Sequence, residues 1–155
     1  PCPCGYLGDT ERPCRCTPEQ VQRYRARVSG PLLDRIDLHI PVARVPAGDL
    51  LAAPANEESS SRVRLRVNAS RTLQQQRQGC ANAGLRPDQL AGTCAMGQAE
   101  MDQLRAAATS MHLSARALHR SLRVARTIAD LDGAESVGSR HLGEALGYRP
   151  LDNGA

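Results

Sequence analysis

Phenylalanine and tryptophan are absent from these 155 residues, and only three tyrosines occur. An apolar core therefore has to be assembled from Leu, Val, Ile and Ala, which suit helix-on-helix packing and leave little for stacking nucleobases. Lysine is absent as well: all 20 basic residues are arginine. A phosphate-cradling loop of the GxxxxGK(S/T) kind needs a lysine on the β- and γ-phosphates. This chain contains no such loop, so its residues alone are not expected to turn over a nucleotide. No stretch of about 18 apolar residues is present, so no membrane-spanning helix is expected. No basic start followed by an apolar run marks a secretory signal, and a cytoplasmic protein is expected. Beginning Pro1-Cys2-Pro3-Cys4, the sequence reads as cut from something longer.

What is present is arginine, in modest excess. A net charge of +4 and a pI near 9.0 suit an anionic partner, either nucleic acid or a nucleotide phosphate, and equally a solvated basic surface. Between Ser59 and Pro87 there is no acidic residue, while Arg62, Arg64, Arg66, Arg71, Arg77 and Arg86 all occur. On a helix these spread around the cylinder, which fits a solvated helix or sequence-independent contact with a phosphate backbone. His39, His112, His119 and His141 have no mutual spacing that suggests a ligand set.

Residues 1–16 are rich in cysteine and turn formers and show no periodicity. Thr17-Pro18-Glu19-Gln20 then gives a helix start, with a Thr cap, Pro at the first position and Gln three residues on. That helix is expected to reach about Val28 and to stop at Ser29-Gly30-Pro31. Ile36, Leu38, Ile40 and Val42 alternate with polar residues or Pro, a period of two that predicts a strand. A Pro-, Ala- and Ser-rich stretch over 43–61 reads as a linker. Beyond it, helices are expected over 59–79, 97–111, 114–131 and 139–147, with a loop over 80–95. The clearest is 114–131, where Ser114 can cap, Leu118, Leu122, Ala125 and Ala129 form one stripe, and Gly133 follows the end.

Two patterns carry chemistry. Cys2, Cys4, Cys14 and Cys16 make a C-x-C…C-x-C set whose thiolates suit a structural, tetrahedral Zn²⁺. The one-residue spacing is tighter than usual, so reduced thiols and disulfides remain open readings. Cys80 and Cys94 fall on the expected loop and are not assigned a role. The second pattern is Ser29-Gly30-Pro31-Leu32-Leu33-Asp34-Arg35-Ile36-Asp37-Leu38. It places Arg35 in a short turn between helix and strand, gripped by Leu32, Leu33 and Ile36. Such an arginine can project toward a transferring phosphoryl group or bridge Asp34 or Asp37 at a surface.

The run RYRARVSGPLLDRIDLHIPV closely resembles the segment of Mg-chelatase-related AAA+ ATPases that carries the arginine finger. Magnesium chelatase itself and the minichromosome-maintenance helicases are similar there. A second run, from Leu113-Ser114-Ala115-Arg116 to Asp130-Leu131, resembles the helix that carries the family's sensor-2 arginine. The resemblance implies that Arg35 is a finger acting in trans and that Arg116 reads the nucleotide phosphates. Physically, the first turn of a helix already favours an anion at Arg116.

The resemblance further implies a mainly α fold. Residues 1–46 would be the tail of an α/β AAA+ core, comprising a Cys-rich loop, a helix, the finger turn and a strand. Residues 47–155 would be a helical lid. ATP and Mg²⁺ are expected to bind the full-length protein between subunits of a ring, a hexamer, while this chain alone is an inactive monomer. Cys-Pro-Cys-Gly and the Ser-Gly-Pro-Leu-Leu-Asp-Arg run place it nearest the bacterial competence type, which implies DNA as the remodelled partner. A chelatase motor, or a zinc-stabilised nucleic-acid-binding module, are the alternative functions.

Overall fold

The computed structural model describes residues 1–9, 11–46, 48 and 58–149. It is mainly helical, as expected, with seven α-helices, one 3₁₀ turn and no strand among the described residues. The chain divides into two compact units, Pro1–Ile36 with Ile40–Ala55, and Asp37–His39 with Asn56–Ala155. The lid start expected at residue 47 and most of the linker lie outside the described residues.

In the first unit, α1 spans Pro18–Arg25. Thr17 caps it as its sequence predicts. The Gln20 N–H donates to Thr17 Oγ1 at 3.3 Å, and the Thr17 N–H donates back to Gln20 Oε1 at 3.1 Å. The two bonds occupy backbone donors that the helix itself leaves unpaired. Helix α1 ends earlier than Val28. Ser29-Gly30-Pro31 does not simply stop it, because Gly30–Leu33 forms a one-turn helix, α2, with Pro31 near its start. The expected strand over Ile36–Val42 is absent. A strand exists only through ladder bonds to a neighbour, and no neighbouring strand occurs among the described residues. Ile40 and Val42 are consequently 62% and 88% exposed.

The second unit holds α3 (Ser60–Gln78), the 3₁₀ turn Asn82–Gly84, α4 (Pro87–Cys94), α5 (Gln98–Ser110), α6 (Ala115–Leu131) and α7 (Ser139–Gly147). Where 80–95 was expected to be a loop, α4 forms. Pro87 sits at its first position, and Gln89 accepts the Arg86 N–H at 2.9 Å, doing the work of a cap. Helix α6 is the organising element. The Ala117 N–H donates to Ser114 Oγ at one end. At the other, Gly133 (φ +69°) lets the chain reverse, so that the Gly133 and Ala134 N–H groups reach the carbonyls of Asp130 and Ala129 at 3.2 and 2.8 Å.

Helix α6 packs against α3, α4, α7 and the 3₁₀ turn, and α5 packs against α7. Leu85, Leu90, Leu104, Leu122, Ala125, Ala129, Val137 and Leu142 make the core.

A polar node is set into this core. Arg126, on α6, is wholly buried, and its carboxylate partner Asp130 lies one turn on at 2.9 Å. The remaining Arg126 donors bond the carbonyls of Glu135 at 2.9 Å and Ala134 at 2.5 Å. Arg77 of α3 grips the same carboxylate with two bonds, of 2.5 and 3.0 Å. Asn82 Nδ2 adds a third partner at 2.7 Å. Burial alone would push the Asp130 carboxyl up. Its hydrogen bonds from Arg77 and Asn82, with the charges of Arg126 and Arg77, outweigh that and hold it below the usual carboxylate range.

A buried ion pair contributes little against an apolar replacement, but breaking it strands a charge. Asp130→Ala should therefore destabilise the helical unit by about 3–5 kcal/mol, read as a lowered urea midpoint with unchanged slope. Because the folded-state value is depressed, the Asp130 contribution should be complete above the unfolded carboxyl value of about 3.9. It should disappear as pH falls through the lower folded value. A shift below about 1 kcal/mol would mean the node is no more than a surface pair.

Candidate functional site

Three groups of side chains were expected to carry chemistry, and the first is the cysteine cluster of the first unit. Gly5 takes φ +82°, and its N–H donates to the Cys2 carbonyl at 3.1 Å, which folds Cys2-Pro3-Cys4-Gly5 into a tight knuckle. The stretch linking the two cysteine pairs is shaped by Asp9. Its Oδ1 accepts the Glu11 and Arg12 N–H groups at 2.8 Å each. Those two bonds, led by Arg12, and the nearby Arg44 hold the Asp9 carboxyl below its usual range. Arg12 also bonds the Tyr6 hydroxyl at 3.0 Å and lies over its ring.

The outcome is convergence. All four sulfurs lie within 4.8 Å of one another, with Cys2–Cys4 at 3.4 Å and Cys14 at 3.6 Å from both. These separations far exceed the S–S bond of about 2.05 Å, and all four cysteines are free. A tetrahedral ion with metal–sulfur bonds of about 2.3 Å has sulfur–sulfur edges of about 3.8 Å, close to those observed. The N–H of Tyr6, and then that of Arg15, draws the Cys4 thiol down to about 6. At Cys14 the N–H of Cys16 is outweighed by burial and the neighbouring sulfurs, which push that thiol up to about 12. The cluster can hold a metal ion. Cys94, by contrast, is fully buried at the end of α4, and burial pushes its thiol up to about 11, so it is inert packing.

The second group is Arg35. Successive backbone bonds fix the turn that carries it: Leu33 to Ser29, Asp34 to Gly30, Arg35 to Leu32 and Ile36 to Leu33, at 2.9–3.1 Å. The side chain of Arg35 is exposed. The expected apolar grip is not what holds this turn, since Leu32 is 48% and Ile36 42% exposed. Backbone hydrogen bonding does that work instead. One residue beyond Ile36 the chain joins the second unit. Arg120 of α6 forms an ion pair with Asp37, and the His39 N–H donates to the Tyr148 carbonyl at 2.9 Å.

Arg116 is the third. It lies on the first turn of α6, just after the Ser114 cap, and is exposed. Arg116 therefore belongs to the helical unit and Arg35 to the other. Arg62, Arg64 and Arg71 are exposed along α3, whereas Arg66 pairs with Glu58 at 2.7 Å. Spacing gave no hint of Arg120, Arg126 or Asp130 as organising residues. The available signal was a pair of charges, four apart, interrupting the apolar face of α6.

The family described as magnesium chelatase, subunit ChlI C-terminal, matches residues 57–149, and that described as magnesium chelatase, subunit ChlI, matches residues 1–50. The chain is 40% identical over 151 residues to the competence protein ComM of Haemophilus influenzae, covering 97% of this chain and 29% of that protein. It is also 40% identical over 152 residues to the uncharacterised protein YifB of Escherichia coli, covering 98% and 30%. An uncharacterised protein of Mycobacterium tuberculosis is 38% identical over 153 residues, with 96% and 30% covered. The chain thus spans about 30% of the length of the curated relatives it matches.

The sulfur geometry predicts that the reduced chain takes up about one equivalent of Co²⁺, with the intense visible bands of a tetrahedral thiolate complex. Cys4→Ser should weaken or abolish those bands. A titration that leaves the pale octahedral spectrum of aqueous Co²⁺ would contradict the site.

Proposed function

The chain belongs to the magnesium-chelatase-related family of AAA+ ATPases, and on that premise we propose that it is the C-terminal part of a ring-forming ATPase. In this reading residues 1–46 complete the α/β core and 47–155 form the lid. ATP and Mg²⁺ bind elsewhere in the protein, between neighbouring subunits of a hexamer, and supply the phosphoryl group that is transferred. Arg35 acts in trans as the arginine finger, and Arg116 is the sensor-2 arginine. The observation that carries the proposal is the placement of Arg35: an exposed residue on a turn closed by backbone hydrogen bonds. A backbone fixed before the charge develops leaves only side-chain freedom to be lost when the guanidinium stabilises that charge.

Arg116 supports the same reading from the other unit, because a charged donor beside the free N–H groups of a helix start favours a phosphate. The cysteine cluster is a structural Zn²⁺ site, fastening a segment in which Cys2 alone is a buried apolar residue among the described residues. Reduced thiolates of this kind persist in the cytoplasm, where the protein is proposed to act. No described helix is long and apolar enough to cross a membrane. The partner that hydrolysis remodels is DNA, during transformation or recombination. The support for this is the competence protein that is 40% identical to the chain, together with the acid-free, arginine-bearing α3.

In the protein that carries this chain with its nucleotide-binding loop, Arg35→Ala should bind ATP normally and lose turnover by about 10³-fold or more. Mixing Arg35→Ala subunits with subunits lacking the loop lysine should restore part of the activity, since each supplies what the other lacks. Arg35→Ala rings that hydrolyse ATP at the parent rate would remove the finger assignment.

A further inference from the structure

The short segment Asp37–His39 follows the finger turn directly, yet it belongs to the helical unit. Two contacts hold it there. Asp37 is in an ion pair with Arg120, and the His39 N–H donates to the Tyr148 carbonyl just after α7, at 2.9 Å.

We propose that this segment is a tether through which helix α6 sets the position of Arg35, with Arg120 as the positioning residue. The inference rests on Arg35 being the finger. Arg116 and Arg120 are four residues apart on α6 and so share one face of it. The face that carries the phosphate-reading arginine therefore also holds the residue two positions beyond the finger. Two residues of chain span at most about 7 Å, which leaves little slack between Asp37 and Arg35. A movement of α6 in response to nucleotide must either carry the finger turn with it or part Asp37 from Arg120. The pair is suited to parting. Its side chains are 25% and 49% exposed, in contrast to the fully buried Arg126 and Asp130 on the same helix. A partly hydrated pair is weak enough to open and re-form, whereas the buried node stays closed and keeps the unit intact.

The test has two readouts. In this chain, Arg120→Ala should speed hydrogen exchange at the His39 amide by about three- to fivefold, with no change at the amides of Leu122–Ala129. The exchanged pair, Asp37→Arg with Arg120→Asp, should restore protection. In the protein that carries this chain with its nucleotide-binding loop, Arg120→Ala should lower ATP turnover by about fivefold at unchanged ATP affinity, and the exchanged pair should recover it.

Unchanged exchange in Arg120→Ala, or failure of the exchanged pair to rescue either readout, overturns the tether. Arg35→Ala assayed alongside separates the two readings. If it abolishes turnover while Arg120→Ala turns over normally, the finger stands and the tether falls. If Arg35→Ala turns over normally, the finger reading fails, and the tether fails with it.

Discussion

The carboxylate of Asp130 is the point on which the helical unit depends. It receives Arg126 from its own helix, Arg77 from α3 and Asn82 from the 3₁₀ turn. One side chain thus fixes α3 and the turn that follows it to a helix 48–53 residues further along the chain. A core of Leu, Val and Ala is permissive, because small aliphatic side chains repack at low cost and tolerate shifts of register. A buried arginine is not permissive. Arg126 must meet its carboxylate and the carbonyls of Ala134 and Glu135 together, or leave donors stranded in the interior. The network therefore selects one arrangement of α3, the turn and α6 from those the apolar residues alone would allow. Gln74 and Gln78 extend it, bonding the Asn82 N–H at 3.1 Å and Oδ1 at 2.9 Å.

That rigidity serves the rest of α6. Arg116, Arg120 and Arg123 are carried on a helix whose C-terminal half is locked. Arg123 spends its guanidinium on the Leu85 carbonyl at 2.7 and 3.1 Å, while Arg120 holds Asp37 and Arg116 is exposed. Along one helix the arginines pass from exposed, through a partly exposed ion pair, to one committed to a backbone carbonyl. The first unit is built on other terms. Neither α1 nor α2 has a buried residue, and the local order of the N-terminal segment comes from a knuckle, an Asx turn and four convergent sulfurs. A metal is the natural substitute where an apolar core is lacking.

Much of this was legible in the sequence. Thr17-Pro18-Glu19-Gln20 and Ser114 announced helix starts, Gly79 and Gly133 announced ends, and four cysteines within residues 1–16 suggested convergence despite their tight spacing. Each is a local rule in which the residue itself does the bonding. Helix α4 escaped because Arg86 is not a capping residue, and the cap function falls to Gln89 alone. The alternation of Ile36, Leu38, Ile40 and Val42 was read correctly as a pattern. Pattern is not pairing, and no partner strand exists among the described residues. Nothing local in the sequence marks Asp130 and Arg126 as buried, since Arg77 of α3 reaches the pair from 53 residues away. Asp37 and Arg120 lie 83 residues apart, a separation no spacing rule reaches.

The central claim is that Arg35 is presented to a nucleotide held by a neighbouring subunit. The most direct measurement is a structure of the assembled ring with a non-hydrolysable ATP analogue and Mg²⁺. The account predicts the Arg35 guanidinium within about 3.2 Å of a γ-phosphate oxygen across the subunit boundary. A ring in which that guanidinium is turned back onto a carboxylate of its own subunit, with another arginine at the γ-phosphate, would contradict it.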